Sequence, residues 1–290
     1  MTSTCIFGSR ARNRFDHLSD RDVLVVAPSE LEVADASREW FASGWSVARF
    51  TQQQMIGMAD RHSLFLQHLK QEGIILSDED GFLSSIIQKY VPKLNYETEL
   101  HDSFALLAAL PRSPSAYWPT LCAADIAYVS VRNIAISRLA ERGIYAFDYT
   151  DLINRFISER PISPRNSHAL LGLRALKHGY RKRVTTLSPS RVLMDALEGA
   201  EELFDSGTSG DPTADHFGYC GLRMLELELM KLADPRALDL LPLQDPLGQA
   251  WALICDPRDY PKISLVEHAW VHETYRLAQR RFGILPQVGH

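Results

Sequence analysis

Short apolar runs alternate with amphipathic stretches over the first third of this chain. The runs at 2–7, 20–27, 45–51 and 73–77 have strand length and strand-type residues, and they predict four strands. Between them, a short helix is expected from Ser9, and longer helices over 30–43 and 61–72. In the helix over 30–43, Leu31, Ala34, Trp40 and Phe41 recur at helical spacing, and Gly44 stands where a left-handed residue ends a helix. Residues 78–92 read as a transition that stops at Pro92.

From about residue 95 the period becomes helical. The segment 117–142 carries Leu121, Ala124, Ile126, Ala127, Val131, Ile134, Ala135 and Leu139 before Gly143. Helices are expected near 148–158, where Asp148 or Thr150 can cap, and near 166–183, 189–205, 213–233, 245–254 and 262–282. The clearest loop runs from Asp205 to Pro212. Neither an internal repeat nor a low-complexity tract interrupts the pattern.

Composition changes this picture little. The 290 residues are 46% hydrophobic and 23% charged, ordinary for a globular protein of about two domains. No apolar run nears the roughly 20 residues needed to span a bilayer, so no membrane role is expected. The chain opens directly on its first strand, so no signal peptide is expected either. Cys5, Cys122, Cys220 and Cys255 are widely spaced, which fits free thiols in a reducing cytoplasm. The net charge of −5 is uneven: residues 1–92 hold 9 basic and 12 acidic side chains, 93–184 hold 13 and 8, and 185–290 hold 9 and 16. A basic middle suits a triphosphate or a polynucleotide, and an acidic end suits a cation.

Candidate chemistry concentrates near the start. Gly8-Ser9 ends the first strand, and Ser19-Asp20-Arg21-Asp22 opens the second. Residues i and i+2 of a strand share a face, so Asp20 and Asp22 are expected to project together. Two such carboxylates suit Mg²⁺, which commonly binds through one or two carboxylates plus substrate phosphates. Gly8 lets the backbone approach a phosphate, and a helix starting at Ser9 would aim free N–H groups at it.

This segment resembles the signature of the DNA-polymerase-β nucleotidyltransferase superfamily, G-S, about ten residues, then D-x-D. It is most similar to the minimal and kanamycin-type members. Gly8, Ser9, Ala11, Arg12, Ser19, Asp20 and Asp22 match, while Asn13 replaces a preferred glycine and Arg21 a preferred apolar residue. The stretch Ser63–Leu76 also resembles the helix and strand that close many such domains. The resemblance covers about the first 90 residues. It implies an α+β chain, with a small mixed-sheet nucleotidyltransferase domain over 1–92 and an all-helical bundle over 93–290 that binds an acceptor or partner.

The implied activity is Mg²⁺-dependent transfer of a nucleoside monophosphate, most simply AMP from ATP, onto a hydroxyl, with release of pyrophosphate. Asp20 and Asp22 would be catalytic and hold the metal; Gly8, Ser9 and Arg12 would contact phosphate. The superfamily takes a third carboxylate from a later strand. The segment Trp45–Phe50 has no acid, and Asp60, read as a helix N-terminal residue, and Glu72 are the nearest later ones. Two readings therefore stand: an enzyme acting on a protein or small molecule ahead of an RNA 3′ end, and a nucleotide- or partner-binding module of the same fold with weak or no catalysis. A homodimer is compatible with either.

In the helical region Lys177 and Arg181 are the candidate phosphate contacts, beside Arg174 and His178, whose spacing misses that of ribonuclease-type helical domains. Arg132-Asn133 is either a structural pair or a cleft residue. Glu226 and Glu228 read as surface charges, and Glu267, His268, His272 and Glu273 as an exposed helix face without the H-E-x-x-H order. No P-loop, dinucleotide fingerprint or nucleophile elbow is present.

Overall fold

The computed structural model describes residues 1–111, 116–184, 188–205, 217–255 and 268–282. The fold is α+β, with one four-stranded mixed sheet and many helices. Two compact units are present: unit 1 comprises Met1–Tyr96 and Arg138–Leu152, and unit 2 comprises Glu97–Ser137 and Ile153–His290.

Unit 1 is built on strands β1 (Ser3–Phe7), β2 (Asp22–Ala27), β3 (Ser46–Thr51) and β4 (Ile74–Asp78), in the order β3-β2-β1-β4. β1 runs antiparallel to β2 and β4, and β2 runs parallel to β3. Alternate residues of β2 face opposite layers. Leu24 and Val26 join Cys5, Met55, Leu66, Leu69 and Leu83, so helices α2 (Gln52–Asp60), α3 (Leu64–Glu72) and α4 (Phe82–Lys89) cover one face. Val23 and Val25 join Val47, Ala36, Trp40 and Trp45, so α1 (Glu30–Ala42) covers the other. Burial from both sides explains why Val23–Ala27 is an unbroken apolar run.

Several expectations change here. The stripe of α1 that faces the core is Val33 and Ser37, buried, with Ala36 and Trp40, half-buried, whereas Leu31, Ala34 and Phe41 are exposed. Ser37 is small and satisfies its hydroxyl on the Val33 carbonyl at 2.6 Å, so it packs where a larger polar residue could not. α2 was not expected, although Thr51 and Gln54 form a full capping box. Asp60 consequently ends α2, and Ser63 caps α3. The supposed transition 78–92 contains α4, with Leu83 buried and Ile86 and Ile87 packed against the core. Gly44 does take a left-handed conformation after α1, with φ of 76°.

Among its described residues unit 2 is helical. It holds α5 (Glu97–Ala108), most of α6 (Tyr117–Glu141), most of α7 (Tyr149–Glu159), α8 (Pro164–Arg181), α9 (Pro189–Phe204), α10 (Phe217–Leu232), α11 (Pro235–Asp239), α12 (Pro246–Cys255) and α13 (His268–Arg281). All eight apolar positions read in 117–142 are fully buried. Residues 206–212 of the expected loop, and the starts of the helices expected at 213 and 262, lie outside the described residues. No described helix is long and apolar enough to cross a membrane.

Candidate functional site

Strand pairing sets the first element of the site. Phe7 pairs with Asp22 at the end of the β1–β2 ladder, so the next residue, Gly8, meets the Asp22 side chain. A Cβ on Gly8 would lie 2.9 Å from Asp22 Oδ2, and Gly8 has a φ of 72°. Both the contact and the left-handed backbone demand glycine. The helix expected from Ser9 is instead a compact turn, in which Gly8 O accepts from Arg12 N–H, Arg10 O from Asn13 N–H, and Ser9 O from Arg14 N–H. Asn13 has a φ of 55°, which explains its place where the resemblance prefers glycine. Asn is among the few side-chain-bearing residues that enter this region readily.

Strand β2 begins at Asp22, not at residue 20, so Asp20 lies in the half-buried approach to the strand. The chain is held there by Ser46 N–H donating to Arg21 O at 2.7 Å. On β3, Ser46 stands opposite Asp22 and Ala48 opposite Leu24, so β3 offers no acid. Among the described residues no group of three or more His, Cys, Asp or Glu is arranged to hold a metal ion. Asp22 is therefore the acid placed against Gly8, and Asp20, outside β2, is not aligned with it by the strand alternation expected from the sequence.

Arg12 and Glu72 form a second cluster in the same unit. Arg12 Nη1 donates to Glu72 Oε2 at 2.5 Å, and Nη2 to Asp148 Oδ2 at 2.9 Å. Glu72 also accepts from His68 Nε2 at 2.8 Å. His68 is buried, stacks on Phe147 with centroids 4.4 Å apart, and meets the edge of Phe7. Asp148 caps the following turn, accepting from Asp151 N–H through its other oxygen. Burial pushes the Glu72 carboxyl up, but the bond and charge of His68 and the Arg12 guanidinium outweigh this and hold it below the usual carboxylate range. Arg12 therefore ties the Gly8–Arg14 turn to α3 and to residue 148.

Lys177 and Arg181 belong to unit 2. Arg181 grips Asp125 in a bidentate pair, Nε to Oδ1 at 3.1 Å and Nη2 to Oδ2 at 2.5 Å. Lys177 lies over the Tyr128 ring at 5.3 Å and contributes positive charge near Asp125. Asp125 also accepts from Arg223, which donates to Glu226, and Glu226 accepts from the Tyr180 hydroxyl at 2.7 Å. Asp125, Arg223, Glu226 and Tyr180 are all essentially without solvent contact. Glu226 is thus no surface charge; its neighbours Leu225 and Leu227 are buried too, so α10 is enclosed around that turn. Burial drives the Asp125 carboxyl up, and Arg181 and Arg223 more than reverse it, leaving it below the ordinary range. The side chains of His268 and His272 lie outside the described residues.

Reading by spacing missed Asp125, Arg223 and the role of Asp148. An isolated Asp within the apolar run Leu121–Ala127 was the available signal, since a buried charge needs a partner. Comparison of the chain with family models, curated proteins and solved structures gives no match.

Proposed function

We propose that the chain is a Mg²⁺-dependent nucleotidyltransferase whose head is unit 1. The observation that carries this reading is the approach of the Asp22 carboxylate to the left-handed Gly8, which sets an acid beside a turn whose backbone is open to close contact. The nucleoside triphosphate, with ATP the first choice, lies with its phosphates over Gly8-Ser9. Asp20 and Asp22 would hold Mg²⁺, which would neutralise charge on the phosphates and on the leaving group. The acceptor hydroxyl oxygen bonds to the α-phosphorus as the bridge to the β-phosphate breaks. Pyrophosphate leaves with the bonding electrons, and the hydroxyl proton passes to solvent. The acceptor is a protein or small-molecule hydroxyl ahead of an RNA end.

One observation favours a second reading, a nucleotide-binding module without turnover: the β3 neighbours of the Asp22 end are Ser46 and Ala48, with no carboxylate to activate an acceptor. The two part on one assay. Protein is incubated with each α-labelled triphosphate, Mg²⁺, and lysate proteins, an aminoglycoside panel or total tRNA as acceptor. Label on an acceptor with matching pyrophosphate, absent from the Asp20→Asn/Asp22→Asn protein, is the outcome for the enzyme. Nucleotide binding with no pyrophosphate on any acceptor selects the binding module. Transfer that survives the double substitution contradicts both.

A further inference from the structure

The turn after β1 carries two arginines in unlike states. Arg12 has both terminal nitrogens committed to Glu72 and Asp148. Arg10, two residues nearer Ser9, forms no ion pair with any described residue. Its guanidinium carbon sits 3.6 Å from the centre of the Phe15 ring. Its Nε, like that of Arg12, is shut off from solvent and has no hydrogen-bond partner among the described residues, so the two arginines differ in their terminal nitrogens. A buried N–H without an acceptor is costly, and such groups are few in folded proteins. Arginine donors lie in the guanidinium plane, so stacking on one face leaves its N–H edge open to an anion while restraining the side chain.

We infer that Arg10, held on Phe15, is the polyphosphate ligand of this turn, and that Arg12 serves as the tie that fixes the turn to Glu72 and Asp148. The inference rests on the nucleotide reading of unit 1 for the identity of the anion. Electrostatics supports the division. Arg12 faces two carboxylates and would have to give one up for its terminal nitrogens to take a phosphate, whereas Arg10 has no acid to release among the described residues. An anion would be met by the terminal nitrogens of Arg10, since its Nε is closed off. The stack is a modest aid, since an aromatic platform at an exposed site contributes less than a charge-assisted hydrogen bond.

The test measures binding of Mg²⁺-ATP and of Mg²⁺-tripolyphosphate by calorimetry to wild type, Arg10→Gln, Arg10→Lys, Phe15→Leu and Arg12→Gln, with a thermal melt of each protein without ligand. Arg10→Gln should lose about tenfold or more in affinity for both anions with an unchanged melt, and Arg10→Lys should recover part of it. Phe15→Leu should lose about two- to fivefold. Arg12→Gln should melt lower, yet bind within about threefold of wild type at temperatures where it is folded. If Arg10→Gln and Arg10→Lys both bind like wild type, or Arg12→Gln alone abolishes binding, the assignment is overturned. Tripolyphosphate binding that depends on Arg10 without binding of any nucleotide keeps the Arg10 site and removes the nucleotide reading. Binding of neither anion overturns both.

Discussion

The ion cluster of unit 1 and that of unit 2 are built from the same residue types and serve opposite ends. In unit 2, Asp125 and Glu226 face Arg181 and Arg223, a balanced set whose Asp125, Arg223 and Glu226 members are enclosed by α6, α8 and α10. In unit 1, Arg12 bridges Glu72 and Asp148 at partly open positions, and Arg10 in the same turn stacks on Phe15 and pairs with no acid among the described residues. A cluster balanced in charge and closed to solvent is shut to a ligand, and its use is to fix how helices pack. An open cluster with an uncommitted cation is not. The contrast moves Arg181 from a phosphate contact to a packing element and makes Arg10 the residue of interest.

The strongest way to break this contrast is Arg223→Met, which strips partners from both Asp125 and Glu226 in a solvent-free setting. We expect a loss of about 3–5 kcal/mol in urea unfolding. A loss below about 1 kcal/mol would mean that the buried cluster does not hold the helices. Next comes Gly8→Ala, which sets a Cβ against Asp22 and forces a left-handed alanine. It should cost about 1–2 kcal/mol and abolish any Mg²⁺-dependent nucleotide binding. A stable Gly8→Ala protein that still binds ATP would separate the turn from the site.

Acidification offers a finer distinction. Glu72 is held below the ordinary carboxylate range in the folded protein, so its contribution is present above about pH 4.3, the usual Glu value. That contribution is lost as pH falls through its lowered folded value. The melting temperature of wild type should thus fall more steeply below about pH 4.3 than that of Glu72→Gln. Parallel curves would show that Glu72 carries no such linkage. The smallest effect is expected for Arg38→Ala, which removes an exposed pair with Asp35. Its unfolding free energy should move by less than about 0.5 kcal/mol.

How much of this was legible follows from where the signals lie. The strands of unit 1 could be read because β2 is buried on both faces and interrupts the polar background. Gly8 against Asp22 was legible as a motif, because the turn and the acid are joined by one antiparallel ladder. The stripe of α1 was misread because Ser37, a polar residue, lies at its centre, while Leu31 and Phe41 are exposed. α2 was hidden by Gln52-Gln53-Gln54, although the Thr51–Gln54 capping box marked its start. The Arg181–Asp125–Arg223–Glu226 set was legible only in fragments, the isolated Asp125 and the Arg223–Glu226 pair within one turn of α10. Its members come from three helices, and the pairings over 56 and 98 residues that join them leave no local pattern. Arg12 was read as a phosphate contact because Glu72 and Asp148, 60 and 136 residues away, cannot be seen from the motif.

The most direct measurement is calorimetric titration of ATP into wild-type and Asp22→Asn protein, each with and without Mg²⁺. A nucleotide site at the Gly8–Asp22 turn predicts saturable binding to wild type that requires Mg²⁺ and is lost in Asp22→Asn, with both proteins melting as folded. Absence of ATP binding to wild type, or binding to Asp22→Asn of equal strength, would contradict it.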